Sequence, residues 1–263
     1  MWQNMALSFY IFWFIVANLV IITTNNITEN YYRKITDSTY PEFVEYLKNN
    51  YNNSDFLNFV NDLNQTSYST IQIPARYLIP TQNEIDIEKS VKTVLQDHNL
   101  LEQCLSHRYP VATANLAKIV ISANKYIIDG HHRWAQIFLV NRNCKIPSLN
   151  IHIEDPVIAL KMTQIGILFD SNYIVENRIS GSNIFNISEK DFIIEVSKYV
   201  TSQTLDIFSK HTNLADADMI VNYLWNNLEL MKKYNRPIAG AYNRNIMPQT
   251  HYSKNWCNFM HLP

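Results

Sequence analysis

The chain has 263 residues, of which 47% are hydrophobic and 17% are charged, so it can bury a substantial core and is not a disordered sequence. The 22 Lys and Arg residues nearly balance the 23 Asp and Glu residues, and the sequence contains no dense Lys/Arg cluster, which argues against the basic face of a duplex-DNA binder. The three cysteines, Cys104, Cys144 and Cys257, are widely separated, which argues against a disulfide framework or a zinc knuckle.

Residues 5–22 form an apolar segment without any charged side chain. A run of about 18 uncharged residues is the lower limit for a bilayer span and also fits a signal sequence. We therefore predict that residues 1–24 are a membrane anchor or a signal, and that the protein is membrane-associated or secreted. Two alternatives remain open. The segment is a buried helix, or it lies before the true start and the working protein lacks it. In either case the protein is expected to be cytoplasmic.

Residues 25–70 are predicted to form a helical extension that precedes the main domain. Apolar residues recur with a helical period between Tyr40 and Leu63, and an asparagine-rich stretch divides this region into two short helices. A polar linker, residues 64–70, follows.

The loop Pro80–Glu84 is the first candidate segment for chemistry. It precedes a predicted helix from Ile87 to about Asp97, for which Asp86 is a suitable N-cap residue. Within the loop, Gln82 can read a ribose or a base edge, or simply close the turn. Glu84 can act as a general base or hold a magnesium ion.

The second candidate segment lies in the middle of the chain, where a predicted hairpin leads into a predicted helix. The β-prone segments 118–122 and 125–128 turn over Ala123-Asn124 and stop at Asp129-Gly130. Helix-forming residues follow from His131 to Val140. The pattern therefore predicts a turn between a strand and a helix.

This turn is suited to binding an anion. The first amides of a helix have no intrahelical acceptor, and the helix dipole adds partial positive charge at the same end. Gly130 permits close approach of the backbone, and the side chains of His131, His132 and Arg133 offer donors for phosphate oxygens. Asp129 can accept a hydroxyl proton, hold a cation or cap the helix.

The rest of the chain is predicted to be mainly helical after one further strand. A break at residues 141–147 precedes that strand, and the final loop carries Arg244, Gln249 and His251. The predicted elements are a strand at Leu149–Ile153, helices at Val157–Phe169, Glu189–Lys210 and Ala215–Tyr234, and a loop at Ala239–His251.

Two segments, Ile73–Ser90 and Ile128–Gln136, resemble the ParB/sulfiredoxin-like superfamily, in which a turn of the Gly-x-His-Arg type opens a helix and binds nucleotide phosphates. The resemblance implies an α+β fold in which residues 71–155 form a small mixed sheet with the family's core. Residues 156–263 are then a mainly helical region that packs on this core.

The same resemblance implies roles for individual residues. Lys89, on the first turn of its helix, corresponds to a phosphate-contacting lysine, and Glu84 is nominated as the base that activates an acceptor hydroxyl, with Asp129 as the competing candidate. The final loop resembles the end of longer members, which predicts that it folds back over the cleft and brings Arg244 to the ligand. Sulfiredoxin carries its catalytic cysteine where this chain has His131, so sulfinic-acid reduction is disfavoured.

Three functions are compatible with these features. The first is phosphoryl transfer or hydrolysis of ATP or another nucleotide, with Mg²⁺ held by Asp129 and Glu84 and with an unidentified acceptor or protein partner. The second is a metal-dependent nuclease in which Asp129 acts with His131 or His132, although the missing basic groove makes duplex DNA an unsuitable substrate. The third is a non-enzymatic module switched by a bound nucleotide.

Overall fold

The structure, a computed structural model, describes residues 29–50, 53, 55, 56, 59, 67–106, 119–171, 181–252 and 256. The chain divides into two compact units, Met1–Asn64 and Gln65–Pro263. The predicted anchor or signal at residues 5–22 lies outside the described residues. Among the helices that are described, none combines the length and the apolar character needed to cross a bilayer.

The first unit contains short helices whose buried faces are rich in aromatic residues. Helix α1 covers residues 29–36, and helix α2 covers Tyr40–Asn50, which confirms the first of the two helices predicted for this region. The second predicted helix lies mostly outside the described residues. The rings of Phe56 and Phe59 lie 5.5 and 5.3 Å from the ring of Tyr31, within the range of favourable aromatic contacts.

Within the described residues, the second unit contains one mixed sheet of five strands. The strands are β1 (Tyr68–Pro74), β2 (Ile79–Pro80), β3 (Ile119–Ser122), β4 (Tyr126–Asp129) and β5 (Lys145–Ile151). Their order is β1-β5-β3-β4-β2. The pairs β1/β5 and β3/β4 are antiparallel, whereas β5/β3 and β4/β2 are parallel. A mixed sheet among helices confirms the predicted α+β class.

Strand β5 begins at Lys145, earlier than the sequence predicts. Its first three residues fall within the break that was expected at residues 141–147. Pro147 suggested that break, since proline has no amide hydrogen to give to a strand ladder. In the structure it lies opposite Gln72 of β1, and pairing with β3 begins only at Ser148. The proline therefore falls where β5 has a neighbour on one side, a position that tolerates it.

The predicted hairpin between β3 and β4 is confirmed. Ala123 and Asn124 have φ angles of 49° and 56°, and the amide of Lys125 donates to the carbonyl of Ser122 at 3.0 Å. Two consecutive residues with positive φ define a tight turn whose twist matches that of the strands. The hairpin ends at Asp129 and delivers the chain to the candidate anion-binding turn.

A central helix carries that turn at its start. The helices of the second unit are α3 (Ile87–Gln96), α4 (His98–Leu105), α5 (His131–Asn141), α6 (Pro156–Ser171), α7 (Glu189–Ser197), α8 (Ser202–His211) and α9 (Ala217–Tyr234). Helix α5 contacts α3, α4, α9 and β3, and residues 134–140 are all buried. The indole N–H of Trp134 donates to the carbonyl of Ala75 at 2.8 Å, which fixes the helix to the end of β1.

The predicted helix Glu189–Lys210 is wrong, because the structure has two helices, α7 and α8, in its place. The second begins with a reciprocal cap at Thr201. Its side chain accepts from the amide of Thr204 at 3.2 Å, while the Thr204 hydroxyl accepts from the amide of Thr201 at 3.3 Å. This capping box satisfies amides that a continuous helix would have paired internally. Side chains of α7, α8 and α9 share one core with the sheet and with α3 to α5.

Candidate functional site

The turn between β4 and α5 has a backbone conformation that requires glycine. Gly130 has a φ of 95°, and a Cβ at this position would lie 2.6 Å from Cγ2 of Ile119. The first intrahelical bond runs from the amide of Trp134 to the carbonyl of Gly130. The amides of residues 131–133 therefore precede the first amide that donates within the helix, as an anion-binding helix start requires.

His131 is a buried structural link and not a free acid or base. Its Nε2 accepts from the amide of Thr81 at 3.2 Å, and its ring is hydrogen bonded to the backbone of Ile127. Burial lowers the pKa of His131 from its ordinary 6.5 to about 3, outweighing the opposing effect of Asp129. The imidazole is thus neutral and both of its nitrogens are engaged. The prediction of a catalytic His131 is not supported by this geometry.

His132 is also neutral, and it joins three parts of the site. Its Nε2 accepts from the amide of Asp86 at 3.0 Å, and Nη1 of Arg244 lies 2.7 Å from its Nδ1. Burial and, next, the charge of Arg244 lower the pKa of His132 to about 3, while Asp86 opposes the shift. A neutral imidazole has one acceptor nitrogen, and protonation would turn that nitrogen into a donor that faces another donor.

The final loop folds over this turn, as the sequence predicts. We define the closing segment as residues 241–252. The amide of Tyr242 donates to the carbonyl of Thr81, and the amide of Asn83 donates back to the carbonyl of Tyr242, both at 3.0 Å. Further along, the amide and the hydroxyl of Thr250 donate to Oδ2 of Asp129 at 3.0 and 2.5 Å. Oδ1 of Asp129 accepts from the amide of Gly130 at 2.6 Å.

The two carboxylates predicted to perform catalysis hold this segment in place. Oε2 of Glu84 accepts from the amide of Arg244 at 2.9 Å, and three donors converge on Asp129. These hydrogen bonds occupy carboxylate oxygens that a substrate proton or a magnesium ion would need. The described residues contain no cluster of three His, Cys, Asp or Glu side chains that could hold a metal ion. The magnesium site at Asp129 and Glu84 stays a prediction, and in this structure both carboxylates accept hydrogen bonds from the closing segment.

These elements enclose a cavity of about 290 Å³. Lys89, Arg133 and Arg244 contribute positive charge to its wall, and Asp129 contributes one negative charge. Burial lowers the pKa of Arg133, but a guanidinium keeps its proton in proteins, so the cavity is net positive when both histidines are neutral. The lining residues are Gln82, Lys89, Thr93, Asp129, Gly130, His131, His132, Arg133, Gln136, Arg244, Gln249 and His251.

The structure brings the predicted site residues together with one exception, because Glu84 does not line the cavity. Sequence reasoning missed Thr93 and Gln136, which lie four residues after Lys89 and His132. Residues four apart lie on the same side of a helix, so this spacing places both residues on the cavity-facing side. The spacing could have predicted them from the sequence. The side-chain amide of Gln136 donates to the carbonyl of Lys89 at 3.2 Å, which joins α5 to α3 across the cavity.

No protein-family model, no curated protein and no solved structure matches this chain. The function must therefore be argued from the site itself.

Replacing Thr250 with valine should loosen the closing segment. Valine keeps the shape of threonine but removes the hydroxyl that donates to the Asp129 carboxylate, a charge-assisted hydrogen bond worth about 1.5–3 kcal/mol. We expect amide hydrogen exchange in residues 241–252 to become about tenfold faster or more. The matched control is Thr212→Val, which removes a hydroxyl bonded to the carbonyl of Phe208 outside the site. Equal exchange in parent and Thr250→Val would contradict the role assigned to this contact.

Proposed function

We propose that this chain is a nucleotide-binding protein of the ParB/sulfiredoxin-like kind, which holds the phosphates of ATP or another nucleotide in the cavity at Gly130. The observation that carries the proposal is the convergence of Lys89, Arg133 and Arg244 on the start of α5. Three cations and the first amides of a helix form an environment that favours an oxyanion with several negative charges. A phosphate chain has this charge.

The size of the cavity supports binding through the phosphates. Pockets that enclose a drug-sized ligand measure about 300–1,000 Å³. At about 290 Å³, this cavity is just below that range. We infer that it encloses the phosphates, while the nucleoside extends toward His251, an exposed lining residue.

Binding is better supported than turnover, because the candidate bases are engaged by the protein's own amides. Phosphoryl transfer or hydrolysis is the second candidate, and the observation in its favour is that Asp129 lies on the cavity wall. Asp129 would act as the base only after Thr250 had moved away. The nuclease is not proposed further, since the side chains of Asp129, His131 and His132 are all hydrogen bonded within the site.

Isothermal titration of the full chain with ATP, CTP and ADP tests the proposal. We expect one of them to bind with and without a chelator, since the binding groups are cations and amides. Arg133→Gln should weaken binding about tenfold or more, because it removes a charge-assisted contact. Arg142→Gln, which changes the residue after the last turn of the same helix, is the control and should bind like the parent.

The outcomes separate the two candidates. Release of phosphate from the bound nucleotide, abolished by Asp129→Asn, would favour turnover. Absence of binding by all three nucleotides and by inorganic phosphate, or unchanged affinity in Arg133→Gln, would overturn the proposal.

A further inference from the structure

A second basic surface of the molecule lies outside the cavity and combines cations with tyrosine rings. Three tyrosines each have the cation of the preceding residue over the ring, at distances from the ring centroid that indicate cation–π contact. Two of the three tyrosines, Tyr77 and Tyr234, are 55% and 63% exposed. The pairs, which we call the tyrosine patch, are Arg76–Tyr77 at 4.8 Å, Lys125–Tyr126 at 4.7 Å and Lys233–Tyr234 at 5.0 Å.

The fold brings the three pairs together although they lie far apart in the sequence. The side-chain amide of Asn235 donates to the carbonyls of Arg76 and Leu78, both at 2.8 Å, so the end of α9 lies against the segment between β1 and β2. The amide of Ile79 donates to the carbonyl of Lys125 at 2.8 Å on the β4 side of that segment. Each cation–tyrosine pair therefore lies within two residues of a hydrogen bond to the segment that carries another pair.

The surroundings of the tyrosine patch are basic. Arg142 joins it through its carbonyl, which accepts from the amide of Arg76 at 2.9 Å, and Arg236 is exposed beside Asn235. The segments that build the patch, residues 71–83, 119–128, 141–153 and 230–252, contain no Asp or Glu, and the acidic residues next to their ends are Glu84, Asp129, Glu154 and Glu229. The segments themselves thus supply cations and no carboxylate to the patch.

We propose that the tyrosine patch binds single-stranded nucleic acid. Exposed aromatic rings stack on bases that are not already stacked in a duplex, and the adjacent cations fix the phosphates between them. Duplex recognition needs a longer basic face or an element that enters a groove, whereas a few rings with interleaved cations are the usual means of holding a single strand. This surface is distinct from the cavity and does not depend on the function proposed for it.

Fluorescence anisotropy of the full chain with a labelled oligothymidylate of 15 nucleotides tests the proposal. We expect binding that weakens with salt, with a slope of log affinity against log salt of about −2 to −3, as for three or four neutralised phosphates. Tyr77→Ala and Tyr234→Ala should each weaken binding about fivefold or more, because each removes a stacking surface. An abasic oligonucleotide with the same phosphates should bind the parent correspondingly more weakly.

Tyr199→Ala is the matched control. The ammonium group of Lys92 lies over the Tyr199 ring, 5.9 Å from its centroid. The Tyr199 hydroxyl lies 3.3 Å from Glu88 and 3.1 Å from Glu195, so the surroundings of this ring are acidic. It should bind like the parent, as should Arg133→Gln in the cavity. Thermal unfolding verifies that each variant is folded. Three results would overturn the proposal: no binding at 50 mM salt, equal binding of the abasic strand, or parental affinity in both tyrosine variants.

Discussion

Replacing Gly130 with alanine is expected to destabilise the second unit by about 2–5 kcal/mol and to abolish nucleotide binding. An alanine with positive φ costs about 1–2 kcal/mol, and forcing a methyl group into a packed site costs about 1–3 kcal/mol more. Both penalties apply, since φ is 95° and the new Cβ would lie 2.6 Å from Cγ2 of Ile119. The backbone can relieve the overlap by moving the start of α5, and the amides that we propose to face the phosphates would move with it.

Gly240 provides a control that separates the two penalties. It also has a positive φ, 73°, but nothing lies within 4 Å of the position of a Cβ. Gly240→Ala should therefore cost only the conformational part, about 1–2 kcal/mol. Urea unfolding of both variants and of the parent measures the difference. If Gly130→Ala is no less stable than Gly240→Ala, the turn is not packed as described.

The second large effect is a loss of stability in mild acid. The pKa of His131 and of His132 falls from 6.5 to about 3 on folding, mainly because both are buried, so the unfolded chain binds more protons than the folded chain between these values. The contribution of the two neutral histidines to the free energy of unfolding is therefore fully present above pH 6.5 and is lost as the pH falls toward 3. At pH 5 the two histidines together should lower the free energy of unfolding by about 4 kcal/mol relative to pH 7.5, a large share of the 5–15 kcal/mol typical of a domain.

Urea unfolding at pH 7.5, 6.5, 5.5 and 5.0 measures this dependence. In His132→Gln the drop between pH 7.5 and 5.0 should be about half as large, because one titrating group has been removed. A free energy of unfolding that is flat from pH 7.5 to 5.0 would show that the two imidazoles are not buried in neutral form.

Features determined by residues close in sequence could be predicted without coordinates. The N-cap at Asp86 was predicted because a side chain that caps a helix lies next to it, and it accepts from the amide of Lys89 at 3.1 Å. The hairpin over Ala123-Asn124 and the turn at Gly130 are equally local. The division of the 189–210 region was missed because it contains neither glycine nor proline, and Thr201 caps the second helix with a threonine partner where the usual signature has Glu or Gln.

The roles of the polar site residues could not be predicted, since they depend on partners that are distant in sequence. Glu84 was assigned catalysis because a loop carboxylate is available for it, but an amide from the closing segment occupies its oxygen. His131 was treated as a donor to the ligand, although Thr81, 50 positions earlier, uses its acceptor nitrogen. A residue type indicates which bonds a side chain can make, and only the tertiary structure determines which of them are made.

The long separation in sequence between Glu84 and the closing segment has a consequence for a nascent polypeptide. Arg244 meets Glu84 across 160 positions. A ribosome that adds about 5–20 residues per second needs roughly 8–30 s to cover that distance. Throughout this interval the growing chain has the loop at Glu84 without its cover. The ligand affinity that we propose for the cavity would therefore be acquired last, and products of premature termination before residue 241 should lack it.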